Sequence, residues 1–239
     1  MLRNTKIIIL CGGRGQRLGE ITNNIPKPLV KLGEKSILEH KLDYYKSQQL
    51  NDYIFCIGYK GEMIVKQVEE LGIKAEFSNI GEKPGILDRI YAVKDSFSNP
   101  VIISYGDTYA EIDFHDLLDQ HKRSKSTLTV VAAPIENPFG LLEWDKNNKV
   151  VSFREKPILN HYIGYAVINS ELFRVIPSAL IDLSDGKGIV KTINYLSSRG
   201  LVNAYKFDGL QLTVNTHEEL EYADKMLGKY YTLKESHEE

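Results

Sequence analysis

The stretch ILCGGRGQRLGEITNNIPKPLVKLG, residues 9–33, gathers side chains and backbone that could hold a phosphate. Gly12, Gly13 and Gly15 carry no Cβ, so their N–H groups can turn together toward an anion at close range. Arg17 adds a planar guanidinium that can fork onto phosphate oxygens, and Lys27, framed by Pro26 and Pro28, adds a point charge on a stiff stem. The chemistry this suggests is a cradle for a nucleoside triphosphate, lined from Leu10 through Gly15; a plain strand-to-loop turn is the competing reading of the glycines taken alone. The loop is not a Walker loop, since no Gly-Lys-Ser/Thr follows. Nor is it a dinucleotide fingerprint, since Arg14 and Gln16 break the helix entry and no acidic residue ends the second strand.

A second chemical feature is Gly106-Asp107 at the end of the apolar run Val101–Tyr105, where a carboxylate could ligate a cation or could simply close a turn. Several other polar groups read as ordinary structure. His115 and His121 lie six apart on a predicted helix, which does not match the spacing of a helical zinc pair. Trp144 reads as packing or rim, and Lys122, Arg123 and Lys125 as a solvated face.

Positioning these groups requires strands that end together. Lys6–Leu10, Tyr53–Ile57, Lys74–Ser78 and Pro100–Tyr105 read as strands; Ser36–Gln49, Gly61–Leu71 and Leu87–Lys94 read as intervening helices, with Met63, Val65, Val68 and Leu71 on one face. Further on, Phe114–Arg123 reads as a helix, Leu128–Ala133, Val150–Phe153 and Ile163–Ile168 as strands, and Glu218–Leu227 as a closing helix. This β-α-β rhythm predicts an α/β fold: a Rossmann-like, doubly wound, mainly parallel sheet flanked by helices, with ligands at the carboxyl ends of the strands. One continuous domain is expected over residues 1–229, with residues 230–239 as a mobile charged tail.

Composition narrows the partners. A net charge of −2 spread over mixed charges lacks the basic footprint of a protein that binds polymeric nucleic acid. No apolar run approaches the roughly 18 residues of a membrane span, and Cys11 and Cys56 read as buried reduced thiols, so a cytoplasmic protein is expected. A homo-oligomer is compatible with the sequence, which does not specify one.

The glycine-rich loop, as Gly12-Gly13-Arg14-Gly15-Gln16-Arg17-Leu18 with Lys27-Pro28, resembles the GGxGxRL and KP signature of the sugar-1-phosphate nucleotidylyltransferases. The likeness extends through Gly58-Tyr59-Lys60-Gly61, Tyr105-Gly106-Asp107, Ile112-Asp113, Phe139-Gly140 and Phe153-Arg154-Glu155-Lys156-Pro157, an order similar to that of glucose-1-phosphate cytidylyltransferases. The resemblance implies a Mg2+-dependent nucleotidyltransferase that joins an NTP, with CTP preferred, to a sugar 1-phosphate for polysaccharide biosynthesis. It implies Arg17, Lys27, Asp107 and Lys156 as catalytic and Gly106 as nucleotide-binding. Asp107 and Asn215 are implied as metal ligands. Asn215 stands where relatives often carry Asp, and it could equally belong to a helix start capped by Thr216 and Glu219. Gly140, Glu155, Lys156, Gly164 and Tyr165 are the implied sugar-phosphate site. Glu82, Gly85 and Arg89 are candidates for base or phosphate contacts, although Asp88 and Arg89 could be exposed helix charges. Two rival functions remain open: cytidylyl transfer to a polyol or choline phosphate, and a catalytically silent nucleotide-binding regulatory domain.

Overall fold

Three consecutive isoleucines, Ile7, Ile8 and Ile9, are fully buried in the computed structural model, which describes residues 5–98 and 100–235. A strand can bury successive side chains only when both faces of its sheet are covered. Strand β1 (Lys6–Cys11) meets that condition. Ile7, Ile9 and Cys11 join a core on one face, and Ile8 joins a separate core on the other.

The first half of the chain runs through the turn α1 (Ile21–Asn24), the short hairpin β2 (Lys31–Leu32) and β3 (Lys35–Ser36), helix α2 (Ile37–Ser47), β4 (Asp52–Ile57), α3 (Gly61–Glu70), β5 (Glu76–Asn79), α4 (Ile86–Ala92) and β6 (Val101–Tyr105). The second half adds β7 (Thr108–Ala110), α5 (Phe114–Ser124), β8 (Leu128–Glu136), β9 (Leu141–Trp144), β10 (Val150–Arg154), β11 (Ile158–Ile168) and α6 (Leu172–Val175). It ends with α7 (Lys187–Ser197), β12 (Val202–Lys206), β13 (Gln211–Thr213) and α8 (His217–Glu235).

Seven strands form the central sheet in the order β12-β8-β11-β6-β1-β4-β5. β4 and β6 flank β1 in parallel, and only β11 runs against its neighbours β6 and β8. The sheet is therefore the expected doubly wound one, mixed through β11. Leu38, Leu42, Ile64, Val68, Phe114 and Leu117 bring α2, α3 and α5 onto one face; Leu87, Ile90, Ile189 and Leu196 bring α4 and α7 onto the other. Since β5 leads to β6 across β1, the chain reverses its winding between β1 and β6. A crevice opens at such a point beyond the strand ends.

A third apolar cluster joins Leu18, Leu32 and Ile37 to Tyr109, Leu212, Val214 and Leu227, docking α8 and the β7–β13 pair against the loop that follows β1. Helix α8 continues to Glu235, so residues 230–235 are helical where a mobile tail was expected, and the Tyr230 hydroxyl donates to Glu111 Oε2 at 2.7 Å. The last four residues of that expected tail, 236–239, lie outside the described residues.

Candidate functional site

The carboxyl ends of β1 and β6 open into a cleft of about 500 Å3, within the usual size of a small-molecule site. Leu10, Gly12, Gly13, Gly15, Arg17, Lys27, Glu82, Arg89, Gly106 and Asp107, ten of the sequence-derived candidates, line it. Gly106 lets the two strand ends converge: its N–H donates to Leu10 O at 3.0 Å, and a Cβ there would stand 2.8 Å from that oxygen.

At one end of the cleft lies a compact polar cluster. Lys27 is held on a short 3-10 turn between Pro26 and Pro28, and it is only 6% exposed. Its Nζ donates to Asp107 Oδ2 at 2.6 Å and to Asn215 Oδ1 at 2.8 Å. Arg17 donates to the same Asn215 oxygen at 2.8 Å. The late segment has the hydrogen bonds of the helix-start reading. Thr216 Oγ1 accepts from Glu219 N at 3.2 Å and Glu219 Oε2 accepts from Asn215 N at 2.6 Å, while the amide oxygen of Asn215 faces the cations.

Glu82, 3.8 Å from Arg14, also lines the cleft, together with Asp185 and Gly186, which the sequence reading did not single out. Asp185 holds a left-handed backbone (φ 53°), and its carbonyl accepts from Ile86 N at 2.9 Å. Gly85 does not line the cleft; it packs beneath the carbonyls of Leu183 and Asp185 and seats this loop on the one before α4. The run Ser184-Asp185-Gly186 signals a turn in the sequence, but nothing there says which cleft the turn borders.

Arg89 is neither an exposed helix charge nor a free cation. Its guanidinium, 4% exposed, donates to Ile57 O and Gly81 O, each at 2.7 Å, with longer contacts to Glu82 O at 3.3 Å and Gly12 O at 3.5 Å. Burial draws its pKa down from the usual arginine value. Four of its contacts join the end of β4 to the loops after β1 and β5.

Tyr165 departs from expectation more sharply. It is fully buried, with its hydroxyl donating to Thr108 O at 2.9 Å, and it lines no part of the cleft. The reason is strand parity. Tyr165 pairs with Ser104, and the side chains of paired residues share a face; Ser104 points into the core while the next residue, Tyr105, points into the cleft. Gly164 (φ 80°) lies directly behind the Tyr105 ring rather than in the cleft.

Gly140, Glu155 and Lys156 sit together on the β9–β10 hairpin and its exit, outside the lining of the cleft. A Cβ on Gly140 would approach the Phe153 ring at 2.6 Å and Glu155 Oε2 at 3.1 Å. Lys156 adopts φ 41°, a costly backbone for a non-glycine residue. Trp144, read from sequence as packing or rim, is 63% exposed on the same hairpin. Strand β11 leads from there to Tyr162, whose ring meets the cleft residue Tyr105 edge-on at 5.8 Å.

The donor set also tests whether a hard cation fits. Two oxygens, one anionic and one neutral, already converge on a single ammonium at 2.6 and 2.8 Å. Mg2+ is commonly held by one or two such protein oxygens plus substrate phosphates and water, so the residues fit that ion. Among the described residues no group of three or more His, Cys, Asp or Glu could hold a metal without substrate. Cys11 and Cys56 are free and buried; burial pushes the Cys56 thiol up to about 12 and Cys11 higher still.

A switch-point cleft with a glycine-rich floor, clustered cations and a strand-end carboxylate defines an α/β protein of the doubly wound class with the features of an anion-binding site. The chain belongs to the nucleotidyl transferase family, whose pattern matches residues 6–204. It is similar to a protein of Bacillus subtilis described as a probable glucose-1-phosphate cytidylyltransferase, at 28% identity over 92% of this chain and 95% of that one. It is similar also to the D-glycero-alpha-D-manno-heptose 1-phosphate guanylyltransferase of Campylobacter jejuni, at 33% identity over 62% of this chain and 67% of that one. The mannose-1-phosphate guanyltransferase of Debaryomyces hansenii is 30% identical over 76% of this chain, which spans 52% of that relative. In fold, the crystal structure of HddC from Yersinia pseudotuberculosis superimposes with a TM-score of 0.72 at 21% identity, covering 93% of this chain and 99% of the other. Among the described residues no helix is long and apolar enough to cross a membrane.

Proposed function

We propose that this nucleotidyl transferase moves a cytidylyl group from CTP to a sugar 1-phosphate, releasing pyrophosphate and a nucleotide-activated sugar. The observation that carries the reading is the convergence of Lys27 and Arg17 on the Asp107–Asn215 oxygens at the mouth of the glycine-rich loop. The attacking group is a phosphate oxygen, already anionic at neutral pH. No general base is therefore required, and positioning with charge neutralisation does the work.

In this reading Arg17 and Lys27 draw the triphosphate to one end of the cleft, and Asp107 with Asn215 would hold Mg2+. When bound, that ion neutralises the negative charge that gathers as two phosphates approach. The base then lies toward Glu82 and Asp185. Carboxylates accept hydrogen bonds and repel acceptor oxygens, so these residues suit the exocyclic amine of cytosine better than the carbonyl that uracil or thymine presents in its place. The similarity to the Bacillus subtilis protein, which covers nearly the full length of both chains, points the same way. Glu155 and Lys156 take the acceptor, the carboxylate facing hydroxyls and the ammonium facing phosphate.

A second reading, a nucleotide-binding domain without turnover, is favoured by one feature: Asn215 gives a neutral oxygen and spends it on two cations. One experiment separates these. Pyrophosphate release is measured with CTP, UTP, GTP, dTTP and ATP, each against a panel of sugar 1-phosphates plus polyol and choline phosphates, with Mg2+ and with chelator. Turnover confined to CTP and a sugar 1-phosphate is expected. Turnover with a polyol or choline phosphate alone reassigns the acceptor, a different nucleotide overturns the base assignment, and tight nucleotide binding without turnover supports the second reading.

A further inference from the structure

Lys41 lies on α2 in the middle of the core, fully buried, and the cleft chemistry described above makes no use of it. Its Nζ donates to the backbone carbonyl of Thr108 and, at 2.5 Å, to the hydroxyl of Tyr165. The rings of Tyr165 and Tyr45 stand 4.5 and 5.6 Å from the ammonium. Among the described residues no carboxylate pairs with it. A buried cation without a counter-ion is a net cost to folding, and an apolar side chain of the same length would fill the space more cheaply.

What the cation holds is the carbonyl of Thr108, the residue after Asp107. Thr108 O accepts from both Lys41 and Tyr165, while the carbonyl of Asp107 itself accepts from Val214 N at 3.1 Å, next to Asn215. The backbone is thus anchored at two successive carbonyls from Asp107 onward, with Lys27 gripping the carboxylate itself.

We propose that Lys41 is a positioning residue for nucleotidyl transfer: its buried ammonium, seated on Tyr165, holds the carbonyl of Thr108 and so fixes the Asp107–Thr108 turn in the place where the carboxylate meets Lys27 and Asn215. Tyr165 acquires its role here as the seat of that cation. The inference rests on the reading that the chain performs its transfer at Asp107.

The test compares Lys41→Met and Tyr165→Phe with the wild-type chain, using the nucleotide and acceptor that the wild type turns over. Lys41→Met is expected to lower kcat by about 10- to 100-fold, the range seen when a partner that orients a ligand is removed, with KM for the nucleotide within about threefold. Its melting temperature is expected to equal or exceed the wild type's, because a buried charge has been removed. Tyr165→Phe lowers kcat by a smaller factor, and the double variant is no slower than Lys41→Met alone, since both act through Thr108. A kcat for Lys41→Met within twofold of wild type overturns the proposal, as does a lowered melting temperature with kcat per folded molecule retained, which marks a purely structural lysine. Should Lys41→Met fail to fold, Tyr165→Phe decides: a drop in kcat at unchanged melting temperature supports the proposal and an unchanged kcat overturns it. A silent wild type overturns the underlying reading, an outcome distinct from an active wild type with unaffected variants.

Discussion

Replacing Asp107 by Asn separates what this carboxylate does for the fold from what it does for chemistry. The residue is about one-quarter exposed, and its Oδ2 lies 2.6 Å from a Lys27 ammonium whose side chain is 8% exposed. Asparagine keeps an oxygen for Lys27, and Lys27 keeps its bond to Asn215 Oδ1. The stability lost is then the difference between a charge-assisted and a neutral hydrogen bond, about 1 kcal/mol, reduced further by solvent screening at Asp107. For a chain of this size that is a fall of roughly 2–4 °C in melting temperature. The chemical loss is larger, because the anionic oxygen of the Asp107–Asn215 pair that would hold Mg2+ is gone, and the charge neutralisation the ion supplies is worth several kcal/mol, so a fall of roughly a hundred- to a thousandfold in kcat is expected. The assay is pyrophosphate release at saturating Mg2+, alongside a melting curve. A kcat within about threefold of wild type would refute the assignment of Asp107 to the reaction, and a fall in melting temperature well beyond 10 °C would show that the carboxylate serves the fold.

Arg89→Met is expected to behave in the opposite sense. It strips the donors from the carbonyls of Ile57 and Gly81, and the cost of about 2–4 kcal/mol in denaturant unfolding is accompanied by a raised KM for the nucleotide as the loop at 81–82 loosens; stability within about 0.5 kcal/mol of wild type would sink that account. His121 gives a pH signature. Burial holds its imidazole below the ordinary value, with Nδ1 at 2.8 Å from Thr129 Oγ1 and Nε2 at 3.0 Å from Asn169 Oδ1. A group harder to protonate when folded contributes stability that is present above its unfolded pKa of about 6.5 and is lost as pH falls through that value toward the lower folded one. The melting temperature should therefore drop on going from about pH 7.5 to about pH 5, and His121→Gln should flatten that drop; equal slopes would exclude His121 as its source.

The strands that were legible in the sequence are those buried on both faces. Ile7–Leu10, Ile54–Ile57 and Val101–Ile103 are unbroken apolar runs, and a residue on either side of such a strand meets a helix. Strand β11 was read from Ile163 but begins at Ile158, because Asn160 and His161 interrupt its apolar run on the stretch that pairs with the outer part of β8. The segment from α6 to β13 escaped notice for a related reason. Asp185, Gly186 and Gly188 place breakers at the start of α7, and in β12, Val-Asn-Ala-Tyr-Lys, only Tyr205 is well buried. The closing helix was stopped early because the segment from Tyr230 was read as a charged tail, yet α8 continues to Glu235.

At the site, residue types announced the cations and the carboxylate, whereas the direction in which a side chain points was not readable. Lys41 shows this best: in Glu39-His40-Lys41-Leu42-Asp43 a lysine looks solvent-facing, and only the packing of α2 against β6 and β11 turns it inward to Thr108. The glycines make the same point. Gly12 was expected to leave room for phosphate, but the space a Cβ would take there is filled by the Arg89 guanidinium at 2.3 Å, and the carbonyl of Gly12 accepts from Tyr59 N at 3.2 Å. Gly13, its neighbour, has nothing within 4 Å of the same position. One glycine therefore admits protein and the next leaves open space at the cleft wall. A glycine-rich motif at a strand end does two jobs that sequence alone cannot separate, letting the loops of three strands close on one another and leaving a gap for an anion.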